Sequence, residues 1–278
     1  SSGFVNRRSS VRIRPLAGDN MSKFVDRLQS LSKSATTPIG FRSSASESKS
    51  SAMLLIAGLS GTQIKETKIM ADVNTDAGLI LSQAPSIKIV RQMVEAAGDV
   101  PLGIFMRDRG DEEINKLEDS GCDFVVFDIK AATTVLQKEG MGKFLMIEPS
   151  LEQGFVRAIN SLEVDGVFIS SRGGDSFVAV EHLLVCRRFV DLLEKPVMVT
   201  LPSLVTKTAL TNLWQAGVHG VVAPSTQSVE VLADLKKMIG DLPRGARGRR
   251  AKVGVILPHY GGDVASEEDE EQEEENLA

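Results

Sequence analysis

Polar side chains end three successive apolar runs in the middle of the chain. Asp128 follows FVVF, Glu148 follows FLMI, and Ser170 follows GVFI. Short runs rich in Val, Ile and Phe are typical of strands buried on both faces of a parallel sheet. Because the carboxyl ends of parallel barrel strands lie on one side, we expect these three side chains to face a common site.

The types of these residues indicate metal-assisted chemistry. Asp128 and Glu148 are predicted to share a hard divalent cation, Mg²⁺ or Mn²⁺, with waters completing the coordination shell. Lys130 and Arg172 are suited to holding a carboxylate or phosphate of the substrate, or to stabilising an enolate. The competing interpretation is that Asp128 and Lys130 pair with each other at the rim of the fold.

Other polar residues at predicted strand ends complete the candidate set. They are Arg107, Asp108, Asp175, Ser203 and Ser225. We expect Arg107, Ser170, Ser203 and Ser225 to bind substrate. The loop SSRGGD (170–175) offers backbone amides to an anion, although a simple turn explains it equally well. No histidine lies at a predicted strand end and the two cysteines are far apart, so a zinc site is not expected.

The spacing of the strand ends predicts the fold. Predicted strands end near residues 60, 82, 107, 128, 148, 170, 201 and 224, and intervals of this length accommodate one strand, one helix and two loops. Helical periodicity fills the intervals, and Gly98, Gly121 and Gly217 are predicted to terminate helices. We therefore predict one (β/α)₈ TIM barrel over residues 52–240. An open doubly wound sheet is the alternative, but GLSGTQ after the first strand lacks the full glycine pattern.

The predicted strands have these bounds: Ala52–Leu59, Gly78–Leu81, Leu102–Met106, Phe124–Phe127, Phe144–Ile147, Gly166–Ile169, Val197–Leu201 and Gly220–Ala223. The second unit is the weakest prediction because the helix before it, at about residues 66–73, is short and polar. Phe24, Leu28 and Leu31 recur at helical spacing and predict a further helix near the N-terminus.

The segments outside the barrel have a different composition. Residues 1–20 are expected to be a non-native or disordered leader, with a natural start at Met21, or else a basic arm that binds an anion. Residues 21–51 are predicted to be the N-terminal helix and a linker. Residues 241–278 are expected to be a disordered tail, first basic and then acidic. This tail carries eight carboxylates between Glu267 and Glu275, against a net charge of −5 for the whole chain.

Charge and cysteine content restrict the partners and the compartment. Without the tail the chain is close to neutral, which argues against nucleic acid as a partner. Cys122 and Cys186 fall inside apolar elements, so we expect buried thiols and a cytoplasmic location. The longest apolar run, Met53–Leu59, is too short to cross a membrane, so no membrane association is expected. The expected partner is a small anionic metabolite, and a homo-oligomer is an open alternative.

Residues 146–170, MIEPSLEQGFVRAINSLEVDGVFIS, resemble the segment from strand five to strand six of the HpcH/HpaI aldolase family. In that family an Ile-Glu pair is followed, after a helix, by a Val-Asp-Gly strand. The resemblance implies that Glu148 binds a divalent metal. The family's second ligand is an aspartate in a G-P-x-D-L loop, and SSRGGD places Asp175 at that point.

Residues 196–226 are similar to the last two units of flavin-dependent barrels of the nitronate monooxygenase type. Glycines after these strands hold the FMN phosphate in that family. This chain has Leu201-Pro202-Ser203 and Ala223-Pro224-Ser225 instead. Proline has no amide donor, which counts against FMN, while Ser203 and Ser225 remain able to contact a smaller phosphate.

Three functions follow as hypotheses. The first is an aldolase-type barrel lyase that acts on a small anionic metabolite through a metal at Glu148, joined by Asp128 or Asp175. In it Lys130 or Arg172 positions the anionic group. The second is an FMN-dependent oxidoreductase. The third is a barrel without catalysis that serves as a binding or assembly scaffold, which the scarcity of aromatic residues and the missing phosphate glycines favour.

Overall fold

The computed structural model describes residues 22–34, 51–82, 85–107, 111–170, 176–225 and 228–243. All of them belong to Ser1–Arg247, the first of two units of the chain. The predicted leader (1–20), most of the linker and nearly all of the tail lie outside the described residues. Asp108, Arg172 and Asp175 lie outside them as well.

Eight parallel strands form a closed barrel in sequence order, with β1 hydrogen-bonded to both β2 and β8. Their bounds are Leu54–Leu59 (β1), Ala77–Ile80 (β2), Leu102–Met106 (β3), Phe124–Phe127 (β4), Gly142–Ile147 (β5), Gly166–Ile169 (β6), Val197–Thr200 (β7) and Gly220–Ala223 (β8). The predicted (β/α)₈ barrel is therefore confirmed, and each predicted strand end agrees with the structure to within two residues.

Helices connect most of the strands, and all but the first of them cover the outside of the barrel. They are Lys23–Ser34 (α1), Ile64–Asp72 (α2), Ile87–Ala97 (α3), Asp111–Asp119 (α4), Gln153–Ala158 (α5), Val180–Leu192 (α6), Lys207–Gln215 (α7) and Val229–Gly240 (α8). The connection from β4 to β5 differs from the predicted pattern, because it holds only the 3₁₀ helix Thr133–Gln137. Consecutive β-branched residues there, Thr133 to Val135, disfavour a regular α-helix.

Glycines end three of the helices, as predicted. Gly98, Gly121 and Gly217 have φ values of 59°, 86° and 97°. Residues with a Cβ rarely adopt this backbone region. The weak second unit is present too, and Met70 of α2 is fully buried against the barrel.

Two apolar layers form the core. Outward-facing strand residues pack against the helices, while inward-facing ones fill the barrel together with α1. Four phenylalanines form the centre of the inner layer. Their rings contact one another in the order Phe24, Phe124, Phe144 and Phe168, with centroid separations of 4.5, 5.5 and 5.6 Å. The barrel interior is thus a packed core, and only its ends are accessible for chemistry.

Side-chain acceptors organise the amino ends of the strands. Directly before β2, β6 and β8, a side chain accepts a hydrogen bond from a backbone N–H near the start of the preceding strand. The acceptors are Asp76, Asp165 and His219, and the donors are Leu55, Lys143 and Val197, at 2.8, 2.8 and 3.2 Å. Because its ring accepts this hydrogen bond at the amino end of the barrel, His219 has a structural role. Such a role agrees with the expectation for a histidine away from the strand exits.

Cys122 and Cys186 are both buried free thiols, which confirms their predicted burial. Within the ranges that the structure describes, helices are all too short or too polar to cross a membrane.

Candidate functional site

The carboxyl ends of β4, β5 and β6 direct the three key side chains into the mouth of the barrel. Val126, Met146 and Phe168 belong to the inner layer of the core. Alternate residues of a strand face the same side, so the residue two positions further along each strand also faces the barrel axis. Those residues are Asp128, Glu148 and Ser170.

Strand register determines which of these residues are neighbours. Met106 pairs with Phe127, so Arg107 follows β3 directly beside Asp128. Ile147 pairs with Ile169, so Glu148 lies beside Ser170. Adjacent strands are about 4.8 Å apart, which places the Cα atoms of each of these pairs at about that separation.

The two acids are neighbours along a diagonal. Phe127 pairs with Leu145, so Asp128 lies beside Met146, and Glu148 is one inward position further along β5. Strand spacing and rise together place the Cα atoms of the two acids about 8 Å apart. Carboxylates at this separation can both reach a cation held between them.

A local turn holds Asp128 in place. Its Oδ1 accepts a 2.9 Å hydrogen bond from the backbone N–H of Lys130, and its carbonyl accepts one from Ala131 at 3.2 Å. The Lys130 side chain is exposed. Among the described residues no ion pair joins Asp128 to Lys130, so the interpretation that these charges neutralise each other receives no support.

The loop after Glu148 is anchored to α6. The Glu148 carbonyl accepts a hydrogen bond from Leu151 at 3.0 Å. Arg188 on α6 donates to the carbonyls of Pro149 and Leu151 at 2.5 and 3.4 Å, and its guanidinium lies over the Phe189 ring. The Glu148 side chain itself is exposed and has no ion-pair partner within the described residues.

Two hydroxyl groups lie at the carboxyl ends of β6 and β7. Ser170 Oγ donates to the Ile147 carbonyl, and Thr200 Oγ1 donates to the Ile169 carbonyl, both at 3.4 Å. Thr200 lies beside Ser170 in the register of β6 and β7. The sequence prediction omitted Thr200, although a polar residue ending the apolar run VMV carries the same signal as Ser170.

Glu66 is a second omission, on the opposite side of the mouth. Its carboxylate accepts hydrogen bonds from the backbone N–H and the hydroxyl of Ser60, each at 2.7 Å. These two hydrogen bonds hold the loop after β1 against the start of α2. Glu66 lies on α2 rather than at a strand end, so the strand-end criterion could not identify it.

Ser203 and Ser225 lie away from the acids, at the ends of β7 and β8. Ser203 is exposed, and it contributes to a cavity of about 350 Å³. The cavity is lined by Pro202, Ser203, Leu204, Val205, Pro224, Val231, Asp234, Leu235 and Met238. Ser225 is half-buried, and its backbone N lies close to Gly58 on β1. The structure thus separates the predicted substrate-binding serines of β7 and β8 from Arg107 and the acids.

The donor set at the mouth fits a weakly held hard cation. In the described part of the chain no three residues of the His, Cys, Asp and Glu types are grouped so as to hold a metal. Asp128 and Glu148 therefore provide two carboxylates, and Mg²⁺ is often bound through only one or two carboxylates with waters and substrate. Asp175, the predicted alternative to Asp128 as the second ligand, lies outside the described residues.

Exposed apolar side chains surround the mouth near β6 and β7. Phe177 and Leu204 form a parallel bridge between the two loops, and Leu204 N donates to the Ser176 carbonyl at 3.0 Å. Both side chains are about two-thirds exposed, as are Val180 and Leu184 on α6. Large exposed apolar side chains in such a group are characteristic of binding surfaces.

Comparison with known proteins supports the fold and nothing finer. No family model matches the chain, and no curated protein matches it. Solved structures do match. Two variants of the tryptophan synthase alpha-subunit from the hyperthermophile Pyrococcus furiosus are 14% and 15% identical in sequence, each with a TM-score of 0.54. A third variant is 14% identical with a TM-score of 0.55. In each case the match covers 69% of this chain and 98% of the other. At this identity the likeness shows that the chain shares the TIM-barrel architecture of those subunits.

Proposed function

We propose that the protein is an aldolase-type barrel enzyme that acts on a small anionic metabolite, with a divalent cation at Asp128 and Glu148. The observation that carries the proposal is the arrangement of Arg107, Asp128 and Glu148 on three adjacent strands. Each of the three occupies the next inward-facing position beyond Phe105, Val126 or Met146 at the carboxyl end of the barrel, where barrel enzymes keep their catalytic groups.

Each residue has a distinct role in this proposal. Arg107 presents a planar guanidinium that suits a carboxylate, and its charge lies over the Phe105 ring at 5.9 Å from the centroid. Asp128 and Glu148 hold the cation, and the turn at Lys130 fixes one Asp128 oxygen. A cation bound there supplies a Lewis acid that polarises a carbonyl or stabilises an enolate.

Two cationic side chains complete the proposed site. Lys130 is exposed at the rim next to Asp128, where its ammonium can approach the anionic group of a bound substrate. Arg172 follows Ser170 in the same loop of the sequence and is assigned the same task. Ser170, beside Glu148, provides a hydroxyl for hydrogen bonding to the substrate.

Metal-dependent stability tests the proposal. Ligand at 100 times its dissociation constant stabilises a protein by about 2.7 kcal/mol, which corresponds to roughly 5–10 °C for a domain of this size. We expect Mg²⁺ or Mn²⁺ to raise the melting temperature, and Glu148→Gln to abolish that rise. Glu163→Gln is the matched control, because Glu163 is exposed in the turn before β6, at the opposite end of the barrel. No rise with any divalent cation would exclude the metal-dependent mechanism.

The FMN hypothesis gains no support from the ends of β7 and β8. Pro202 and Pro224 occupy inward positions there, and neither has an N–H group to donate to a flavin phosphate. Among the described residues that line the cavity beside them there is no Lys or Arg, and Asp234 is one of these residues.

An assembly role is the second candidate, and the exposed apolar side chains favour it. Phe177, Val180, Leu184 and Leu204 are between 65% and 70% exposed. Covering them in a homo-oligomer would bury apolar area. Light scattering of the purified chain tests this role: a dimer that Leu184→Glu converts to monomer supports it, and a monomeric wild type at high concentration contradicts it.

A further inference from the structure

Arg188 on α6 contacts the turn that follows Glu148. Its guanidinium donates hydrogen bonds to the carbonyls of Pro149 and Leu151, at 2.5 and 3.4 Å. The Glu148 carbonyl accepts a hydrogen bond from the Leu151 N–H at 3.0 Å, which forms the turn. A helix outside the barrel therefore holds the first residues after β5, and Glu148 is the residue at which this turn begins.

An aromatic ring restricts the orientation of the Arg188 side chain. The guanidinium carbon lies 4.7 Å from the centroid of the Phe189 ring, and Phe189 is fully buried. A planar guanidinium over such a ring is held by a cation–π attraction, and its N–H groups point in fixed directions. Arg188 is therefore suited to holding two carbonyls of one turn at the same time.

The guanidinium of Arg188 does not neutralise the carboxylate of Glu148. In the described part of the chain no ion pair joins the two residues, although Arg188 reaches the carbonyl of the next residue, Pro149. A guanidinium bound to the carboxylate would compete with a cation for it. Because Arg188 contacts the backbone instead, the exposed Glu148 carboxylate stays available to a divalent cation.

We propose that Arg188 is a positioning residue for the cation site and places the Glu148 carboxylate through the turn at residues 148–151. The inference rests on the proposed function, in which Glu148 binds the metal. Residues that orient metal ligands from outside the coordination shell typically change metal affinity about 10–100-fold when they are replaced. Arg188 acts through the backbone, so we expect an effect at the lower end of that range.

The Mn²⁺ affinity of the full chain, measured by electron paramagnetic resonance, tests this role. Arg188→Ala should weaken Mn²⁺ binding about tenfold. Arg187→Ala is the matched control and should bind Mn²⁺ as tightly as wild type. Arg187 is the adjacent exposed arginine on α6, and it pairs with Asp191 of the same helix at 2.8 Å.

A second control separates positioning from stability. Asn160 donates a hydrogen bond to the Leu192 carbonyl and accepts one from the Glu194 N–H, each at 3.0 Å. These bonds join the residues after α5 to the carboxyl end of α6, so this contact remains in Arg188→Ala. Asn160→Ala should lower the melting temperature and leave the Mn²⁺ affinity unchanged.

Amide hydrogen exchange reports on the turn without any metal. The Leu151 N–H should exchange faster in Arg188→Ala than in wild type, because the carbonyls around it are no longer held. In Arg187→Ala it should exchange at the wild-type rate. Nuclear magnetic resonance measures this exchange at the individual amide.

The outcomes separate this inference from the proposed function. Unchanged exchange at Leu151 in Arg188→Ala would overturn the inference, because the arginine would not hold the turn. Faster exchange with unchanged Mn²⁺ affinity would overturn it as well, and so would an equal loss of affinity in Asn160→Ala. In these three cases wild type still binds Mn²⁺, and the proposed function stands. A wild type that binds no Mn²⁺ would reject the proposed function and this role together.

Discussion

The carboxylate of Asp123, at the start of β4, accepts a 2.6 Å hydrogen bond from the hydroxyl of Ser22. The same carboxylate accepts hydrogen bonds from the backbone N–H groups of Lys23 and Phe24, at 2.7 and 3.0 Å. Asp123 therefore caps α1 from a distant part of the sequence, where a negative charge also complements the helix dipole. Capping in this way directs Phe24 into the amino end of the barrel, against Phe124.

Helix α1 is thus part of the barrel core, and its removal from that core should destabilise the protein. Phe24 is fully buried, so Phe24→Ala should lower the free energy of unfolding by about 3–5 kcal/mol through loss of packing. Urea denaturation measures the loss. The exposed Lys23→Ala is the control and should cost less than about 1 kcal/mol. An unchanged urea midpoint for Phe24→Ala would show that α1 is not docked in solution.

Gly103 on β3 has no room for a side chain. A Cβ at this position would lie 2.2 Å from the Phe124 ring, which is itself fully buried. Gly103→Ala should therefore destabilise the protein by about 1–3 kcal/mol.

Gly154 on α5 is the control for that substitution, because a Cβ there would meet no atom within 4 Å. Gly154→Ala should stabilise the helix by about 0.5–1 kcal/mol. Thermal denaturation of both variants checks the pair, and equal melting temperatures would contradict the packing at the centre of the barrel.

Two buried threonines should respond in opposite ways to replacement by valine. Thr67 on α2 is fully buried, and its hydroxyl has no hydrogen-bond partner among the described residues. Thr67→Val should be neutral or stabilise by up to about 1 kcal/mol, because it removes an uncompensated polar group.

Thr75 provides the comparison, since its buried hydroxyl contacts the carbonyls of Met70 and Ala77 at 3.4 and 3.3 Å. Thr75→Val should cost about 1–2 kcal/mol. Chemical denaturation distinguishes the two variants, and a larger loss at Thr67 than at Thr75 would refute the assignment of these contacts.

Burial on α6 raises the pKa of the Cys186 thiol from an ordinary value of 9.0 to about 12. Since the folded-state pKa is the higher one, this thiol's contribution to stability is complete below about pH 9 and is lost as the pH rises towards 12. Stability should therefore fall with pH above 9, and Cys186→Ala should reduce that fall.

Alkylation offers an independent check on the same thiol. Iodoacetamide at pH 8.5 should label Cys186 in urea and leave it unmodified in the native protein, because the reactive form is the thiolate. Rapid native labelling, located by mass spectrometry, would contradict its burial.

Much of the fold was predictable because apolar runs and strand ends are local signals. The bounds of β3, β4, β6 and β8 follow directly from runs of buried residues between polar ends. The role of α1 was not predictable in this way, since its cap at Asp123 lies about 100 residues further along the chain. The connection after β4 is a 3₁₀ helix and not the predicted α-helix. The β-branched residues Thr133 to Val135 disfavour an α-helix there, although the other intervals between strands mostly hold one.

The site was predictable in part for the same reason. Alternation along a strand assigns Asp128 and Glu148 to the inside of the barrel, but only the register shows that Arg107 is the neighbour of Asp128. Thr200 carries the same local signal as Ser170, and the register of β6 and β7 places the two side by side. The apolar cavity at β7 and β8 is lined in part by residues of α8. The positions of strand ends in the sequence do not predict which helix residues lie beside them.

Direct Mn²⁺ binding tests the central claim, that Asp128 and Glu148 hold a divalent cation at the barrel mouth. Electron paramagnetic resonance measures free Mn²⁺ during titration of the purified chain. We expect one bound ion per chain, at least tenfold weaker binding in Glu148→Gln, and unchanged binding in Glu163→Gln. A wild type that leaves all of the Mn²⁺ free, or a Glu148→Gln variant that binds it as tightly as wild type, would contradict the account.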